Sequence, residues 1–323
     1  MLITASSLNT YTQCPRRYEY SYIKERIPAA PQAALLVGTA VHIGIEAFWN
    51  RLDVHSSLLN VWMFCKESDF WTSDAGRLEM LKLKAYVTGY YAHRSPMLNE
   101  YEVVAVEHEW TKVIDGMDFA GKIDLVLRDK KGRLVLVDHK TSGSSDVENP
   151  GSSFWRGLSY DTQMILYREA LSEIAESNGT PTLVYDVVRK TKSKPAQRKR
   201  IAKKKSETQF EYDARKLANT ETNVEYGTKI LKTYAEDDTR YIWREIPITQ
   251  DEATNKTEEI LHIGKQMSKE HAVYPRFQNS CISRWGACPY FDVCCGTDSL
   301  ESGSFKSRPA HVELPNQGEK NGK

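Results

Sequence analysis

No apolar run in the 323-residue chain approaches the ~18 residues a helix needs to span a bilayer, so helical membrane proteins are excluded. The opening stretch, MLITASSLNTYTQCPRRYEY, lacks a basic segment followed by an apolar one. We therefore expect no signal peptide and a cytoplasmic protein, bacterial or, if the gene is viral, in the host cytoplasm. Charge of one sign is also missing: 44 Lys and Arg against 43 Asp and Glu leave a formal net charge of +1. The whole-molecule field thus names no partner, although the distribution of charge can. Cysteine is sparse, six in all. In a reducing compartment that number argues for metal ligation or free thiols over a disulfide framework. Internal repeats are absent. What is present, 40% hydrophobic and 27% charged residues, is the composition of a soluble globular protein.

Helical signals fill the first hundred residues. Residues 6–28 read as helical, with Ser6 or Ser7 as cap and Pro15 opening a second turn. Val41, Ile45, Phe48, Trp49 and Leu52 recur at helical spacing, and residues 55–95 hold two more helices. The period then switches. EVVAVEHEWTKVI (102–114), MDFAGKIDLVLRD (117–129) and RLVLVDHKT (133–141) read as a three-stranded meander, turned at Asp115-Gly116 and at Lys130–Gly132. A helix from about Ser159 to Ser177, a strand at 182–190 and a helix at 249–270 capped by Thr249 follow. This order predicts an α/β fold class, a mixed sheet flanked by helices. Residues 189–205 hold ten Lys or Arg in seventeen positions. The expected organisation is one domain over 1–300: a helical N-terminal region over 1–100, a core over 101–190, a basic insertion over 190–225 and a cysteine segment over 274–296. Residues 301–323 read as a disordered tail.

The chemistry gathers in two constellations. Asp124 of GKID lies on one strand, and Asp138 ends the apolar run of the next. The turn between them places both carboxylates at one sheet end, with Ile123 and Leu125 pointing the other way from Asp124. Adjacent carboxylates raise each other's pKa unless a cation sits between them, and Mg²⁺ suits oxygen ligands. Lys140 shares a side of the strand with Asp138. An ammonium there can hold an attacking water or neutralise a phosphate. Two strand-end acids and a solvated lysine are the other reading. His42 interrupts an apolar helix, where a satisfied core histidine is the ordinary occupant. Gln163 and Tyr167 fall four apart on one helix face, where ordinary polar exposure is the alternative. In the second constellation Cys281, Cys288 and Cys294 stand as C-x6-C-x5-C, and Cys14 lies near the N-terminus. Four thiolates suit an iron–sulfur cluster or structural zinc. Cys295 adjoins Cys294, and either could be the ligand. Cys65, on an apolar helix, reads as a buried free thiol.

Together these residues resemble the RecB-like branch of the PD-(D/E)XK nuclease superfamily. A GTAVH helix, GKID, D-x-K-T as DHKT (138–141) and Q-x-x-x-Y as QMILY (163–167) occur in the order of that branch, within about residues 1–296. The resemblance implies a restriction-endonuclease-like core and a Mg²⁺- or Mn²⁺-dependent exonuclease. Its partner would be DNA, at ends or as single strands, in recombination or replication and beside a protein of those processes. It implies that His42, Asp124, Asp138 and the backbone carbonyl of His139 bind the metal and that Lys140 is the catalytic lysine. Gln163 and Tyr167 would contact DNA or buttress the site, and Glu107 is a further candidate acid. A His ligand suits Mn²⁺ somewhat better than Mg²⁺.

The cysteines resemble those of the iron–sulfur subset seen in AddB and CRISPR-adaptation nucleases. There one N-terminal and three C-terminal cysteines hold a [4Fe–4S] cluster that joins the chain ends. The resemblance implies that Cys14, Cys281, Cys288 and Cys294 do so here, although the first C-terminal gap is six residues where those relatives have two. In a nuclease the basic run, with Arg198, Lys199, Arg200, Lys203, Lys204 and Lys205, becomes an arm on the phosphate backbone; otherwise it is a solvated loop. The absence of aromatics between 189 and 205 argues against base stacking there.

GMDFAGKI (116–123) imitates a phosphate loop, G-x-x-x-x-G-K, but puts Ile123 where Ser or Thr must hold Mg²⁺. It also runs from a turn into a strand, whereas a phosphate loop leads into a helix. An ATPase is excluded on those grounds. Two other classes stay open: a non-catalytic DNA-binding protein with a degenerate nuclease fold, and a zinc-stapled interaction protein whose acids only end strands.

Overall fold

The structure is a computed structural model that describes residues 1–30, 32–171, 179–269, 271–283, 286–311 and 314. In chain order the strands are β1 (Leu2–Ile3), β2 (Arg26–Pro28), β3 (Glu102–Ile114), β4 (Met117–Arg128), β5 (Leu134–Ser142), β6 (Thr182–Arg189), β7 (Tyr241–Glu245), β8 (Ile282–Ser283), β9 (Gly286–Ala287) and β10 (Phe305–Ser307). Helices α1 (Ala5–Gln13), α2 (Pro15–Tyr18), α3 (Ala33–Trp49), α4 (Val54–Cys65) and α5 (Asp74–Arg94) precede the meander. α6 (Ser153–Leu158) and α7 (Thr162–Ala170) cross from β5 to β6. α8 (Gln209–Ala218) and α9 (Asn223–Glu236) lie between β6 and β7, and α10 (Gln250–Met267) and α11 (Phe291–Cys295) follow.

The sheet runs β3-β4-β5-β6-β7, with β1 also on β4. The expected antiparallel meander forms, β5 and β6 are parallel, and β6 and β7 are antiparallel. Asp115 and Gly116 take φ of 50° and 74°, the left-handed pair that a two-residue hairpin requires. β4 and β5 pair only over 125–128 and 134–137. Beyond Leu125 and Val137 they part. β5 goes on beside β6, and β1 takes the edge of β4 that β5 has left, because β3 occupies the other edge. The result is a fork in the middle of the sheet.

Both faces of the sheet are covered, which is why Leu134–Val137 reads as an unbroken apolar run. Leu134 and Leu136 join α1, α7 and α10 in one core. Val135 and Val137 join α3, α4, α5 and α9 in the other. Among the described residues no helix is long and apolar enough to cross a membrane.

Several local expectations change. Thr4, not Ser6 or Ser7, caps α1, through a reciprocal pair with Ser7: each backbone N–H donates to the other's hydroxyl. The helix expected from Ser159 starts at Thr162, because Asp161 accepts the Gln163 N–H at 2.9 Å and caps it. That expectation also covers 172–177, which lie outside the described residues. Residues 26–28 are not helical but form β2, paired with β10. The tail expected from 301 is therefore structured at 305–307, where a buried Phe305 drives the pairing; most of the rest of it lies outside the described residues. Thr249 caps α10 as expected, with Glu252 completing the box.

Gly121 of GKID owes its identity to packing. A Cβ there would stand 2.9 Å from the Trp110 indole across the ladder. Gly121→Ala is expected to lower stability by about 1–3 kcal/mol through overpacking, seen as a lower urea midpoint with an unchanged slope. An unchanged midpoint would mean that the indole moves aside freely.

Candidate active site

The fork is built around Asp124. Ile123 packs into one core and Leu125 into the other, so the alternation of β4 slips by one residue at Asp124. This corrects the expectation that both neighbours share a face. The irregularity is matched on β3, where Glu107 falls between Val106, paired with Leu125, and His108, paired with Ile123. Glu107 has a left-handed backbone, φ 51°, which reverses the pleat there. A second correction concerns position. Asp124 and Asp138 do not end their strands; they are the first residues past the last paired rung, at the point where β4 and β5 separate.

The parting strands are tied once more, by the His139 N–H donating to Asp124 Oδ2 at 2.8 Å. His42, from α3, places Nδ1 3.7 Å from the same oxygen. Lys140 Nζ lies 2.7 Å from Asp138 Oδ2 and 3.4 Å from Gln163 Oε1. The Gln163 amide donates to the Tyr167 hydroxyl, which donates to the Lys122 carbonyl at 2.6 Å. His42, Asp124, Asp138, His139, Lys140, Gln163 and Tyr167 are thus neighbours at the fork. Glu107 ion-pairs with Lys122 beside them.

Burial sets the electrostatics. Burial, with the charge of Asp138 added, pushes Asp124 up to about 7. Asp138 is also raised by burial, with Lys140 pulling the other way. Burial works against the Lys140 ammonium, but Asp138 and Asp161 more than offset it and raise its pKa. His42 is pulled down to about 3 by burial and by the neighbouring His139 and Lys140, so its ring is neutral, the form that ligates metals.

Two repelling carboxylates and a neutral imidazole are a donor set that fits a divalent cation. Among the described residues no three His, Cys, Asp or Glu side chains are arranged to hold a metal ion in this conformation. Here the Lys140 ammonium supplies the positive charge.

Sequence reasoning missed what lies behind His139. Its ring, 3% exposed, has Nδ1 3.2 Å from Asp186 Oδ2. Asp186 accepts from the Tyr90 hydroxyl at 2.6 Å and from Arg94 at 2.7 Å, and Tyr90 accepts from Trp49 Nε1 at 2.8 Å. The signal was present: an acid amid the apolar strand LVYDVV (183–188) needs a buried partner.

The other predicted residues are placed as follows. Burial raises the Cys281 thiol, and Cys14, Cys288 and Cys295 add to the shift. Cys294 is raised by burial, with Cys14 and Cys288 contributing. The cysteines therefore gather at one pole, yet no three of them form a metal-holding group among the described residues. Something must hold the N- and C-terminal segments together at this pole. Polypeptide contacts do so: the Arg16 N–H to the Pro275 carbonyl at 3.1 Å, Ser280 Oγ to the Gln13 carbonyl at 2.6 Å, and a small core of Tyr20, Tyr290, Leu300 and Phe305. In the basic run Arg198 is engaged by Glu225 at 2.7 and 2.8 Å, and Lys203 donates to Gln209.

A mixed sheet forked at two carboxylates, with a lysine on the second strand, is the framework of a phosphodiester-cleaving enzyme. The family model of the PD-(D/E)XK nuclease superfamily matches residues 2–295, and the chain belongs to that superfamily. Its members generally use divalent metal ions such as Mg²⁺. No curated protein matches the sequence. Among solved structures, one from Eubacterium rectale described as a "Putative exonuclease" is similar at 12% identity and a TM-score of 0.48, over 93% of this chain and 90% of that one. SSO0001 is similar at 14% identity and a TM-score of 0.33, over 87% and 81%.

Proposed function

We propose that this protein is a divalent-metal-dependent deoxyribonuclease, an exonuclease acting on DNA ends or single strands in recombination or replication. The fork carries the reading. Two buried carboxylates, a neutral histidine and a lysine meet there, in a chain whose family implies DNA as substrate. His42, Asp124, Asp138 and the His139 carbonyl would hold the ion. When bound, Mg²⁺ or Mn²⁺ would polarise the scissile phosphate and acidify the attacking water. Lys140 places an ammonium beside Asp138, where it stabilises developing negative charge. Gln163 Oε1 restrains that ammonium, and Tyr167, anchored on the Lys122 carbonyl, restrains Gln163.

Two substrates test this. End-labelled linear DNA should be degraded with Mg²⁺ or Mn²⁺ and not in EDTA, while a closed circle survives. Cutting of the circle would replace exonuclease with endonuclease. No cutting of either would leave the DNA-binding reading in its place.

The cysteine pole enters the same proposal as the site of a [4Fe–4S] cluster, with zinc as the alternative, held by Cys14, Cys281, Cys288 and Cys294. Its role would be structural, since hydrolysis moves no electrons. Protein purified without oxygen should contain iron and acid-labile sulfide, and Cys288→Ser should lose both. Protein free of iron, sulfide and zinc would leave these residues as plain thiols.

A further inference from the structure

A cavity of about 670 Å³ has its walls in α1, α2, the start of α3 and the β2–β10 pair. Arg17 of α2, Lys306 of β10 and Arg308 just beyond β10 line it, and among the described residues no Asp or Glu does. Lys306 pairs with Ile27 across the two strands, and the Arg308 N–H donates to the Glu25 carbonyl at 2.9 Å, which fixes where both emerge. The acids nearby are spent elsewhere. Glu19 is held by Arg16 and by Lys24, each at 3.0 Å. Glu25 accepts the Ala310 N–H at 3.0 Å. Neither Arg17 nor Lys306 has a carboxylate within ion-pair reach among the described residues. Like charges gathered round one cavity with no acid among them make a local field that attracts an anion, although the chain as a whole is nearly neutral.

Two helices lead from this cavity to the fork. On α1, Ser6 lines the small cavity that it shares with Asp124, Lys122 and Gln163. Thr10, one turn further, lines the basic cavity. The two share a face of the helix, and the Thr10 hydroxyl donates to the Ser6 carbonyl at 2.8 Å. On α3 the row is Leu35, Gly38 and His42, spaced i, i+3, i+7 on one face. Leu35 lines the basic cavity. A Cβ on Gly38 would stand 3.7 Å from Thr141 Oγ1, and His42 Nδ1 lies 3.7 Å from Asp124 Oδ2. The helical rise puts the two ends about 6 Å apart along α1 and about 10 Å apart along α3. A nucleic-acid strand advances ~3.4 Å or more per nucleotide, so a few nucleotides span the interval.

We propose that the basic cavity holds a backbone phosphate of the DNA strand, a few nucleotides from the one at the fork, with the Arg17 guanidinium and the Lys306 ammonium as its donors. The proposal rests on the nuclease reading and adds to it a second point of attachment for the same strand. Arg presents a planar fork that matches two phosphate oxygens, and Lys adds a point charge. Position selects this occupant over other anions: the same faces of α1 and α3 line both the basic cavity and the fork. A strand held at both ends of that path has its reacting phosphate placed, which is how contacts away from the chemistry serve it.

The test is fluorescence anisotropy in EDTA over a series of salt concentrations, with a labelled oligothymidine that carries no terminal phosphate. Arg17→Gln and Lys306→Gln should each make the slope of log affinity against log salt shallower by about 0.7, the single-strand value for one lost phosphate contact. The double variant should lose more than either. Lys130→Gln with Lys131→Gln removes the same charge from the β4–β5 turn, at the other end of those strands from the fork, and should leave the slope unchanged. Lys306 is exposed on its strand, so its replacement leaves the core intact, and an unchanged slope in Lys306→Gln would overturn the proposal. An equal change in the turn variant would overturn it too. A change seen only on a 5′-phosphorylated oligothymidine would overturn it by giving the cavity to a terminal phosphate. Cleavage of the oligothymidine by wild type with Mn²⁺ is scored separately. A shallower slope without cleavage would keep the phosphate site and count against the nuclease reading; cleavage with an unchanged slope would do the reverse.

Discussion

Asp138→Ala should lower metal-dependent DNA cleavage roughly 10³-fold or more, the scale of losing a central electrostatic group, while the protein stays folded and still binds DNA. Asp138 is 1% exposed, and its charge is disfavoured by burial. A residue that costs the empty protein stability is kept for what it binds. Removing it also removes the repulsion that helps to raise Asp124, but it leaves the Lys140 ammonium without its partner at 2.7 Å, so the two effects oppose and the melting temperature should move little. Lys140→Ala should lose about 10²–10⁴-fold with DNA binding retained. Initial rates on end-labelled DNA and thermal melts of the same preparations decide this. Full activity in Asp138→Ala would move the active site elsewhere in the chain. A collapsed melt would make Asp138 a structural acid.

The largest expected loss of stability lies behind the site. Arg94→Ala leaves Asp186, fully buried, without its cation, and should cost about 3–5 kcal/mol, the usual result of breaking one side of a buried pair. Replacing both residues by apolar ones, Arg94→Met with Asp186→Leu, should recover some of that loss, because no uncompensated charge remains. Urea denaturation of the three proteins measures it. A loss below about 1 kcal/mol in Arg94→Ala would put the pair among surface-grade ion pairs. The pH dependence has a definite sign. Burial alone would raise Asp186, but Arg94, His139 and Tyr90 outweigh it and hold the carboxyl well below the usual range. The stability it contributes is therefore fully present above the ordinary carboxylate pKa of about 3.9 and is lost only as pH falls below that value. Wild type should keep this contribution at pH 5.

The sequence by itself determined the elements that follow from local rules. Period-two runs and Asp115-Gly116 specified the meander, and Thr249 with Glu252 specified the start of α10. The order of His42, Asp124, Asp138, Lys140, Gln163 and Tyr167 specified which side chains to seek. The first two signals each lie within one element or one turn, where spacing and backbone preference suffice; the third is an order of motifs along the chain, read through the family resemblance. Tertiary structure decided the rest. The fork exists because β1, two residues long, takes the edge that β5 leaves, and no local pattern announces so short a strand. The slip in β4 at Asp124 is matched by a left-handed Glu107 on another strand. The pairing of β2 with β10 joins residues nearly 280 apart. Asp186 was visible as an acid in an apolar strand, but its partners Arg94, Tyr90 and His139 come from α5 and β5. A chain states which groups it carries; only packing of distant segments fixes which of them share a cavity, and so which can share an ion or a proton.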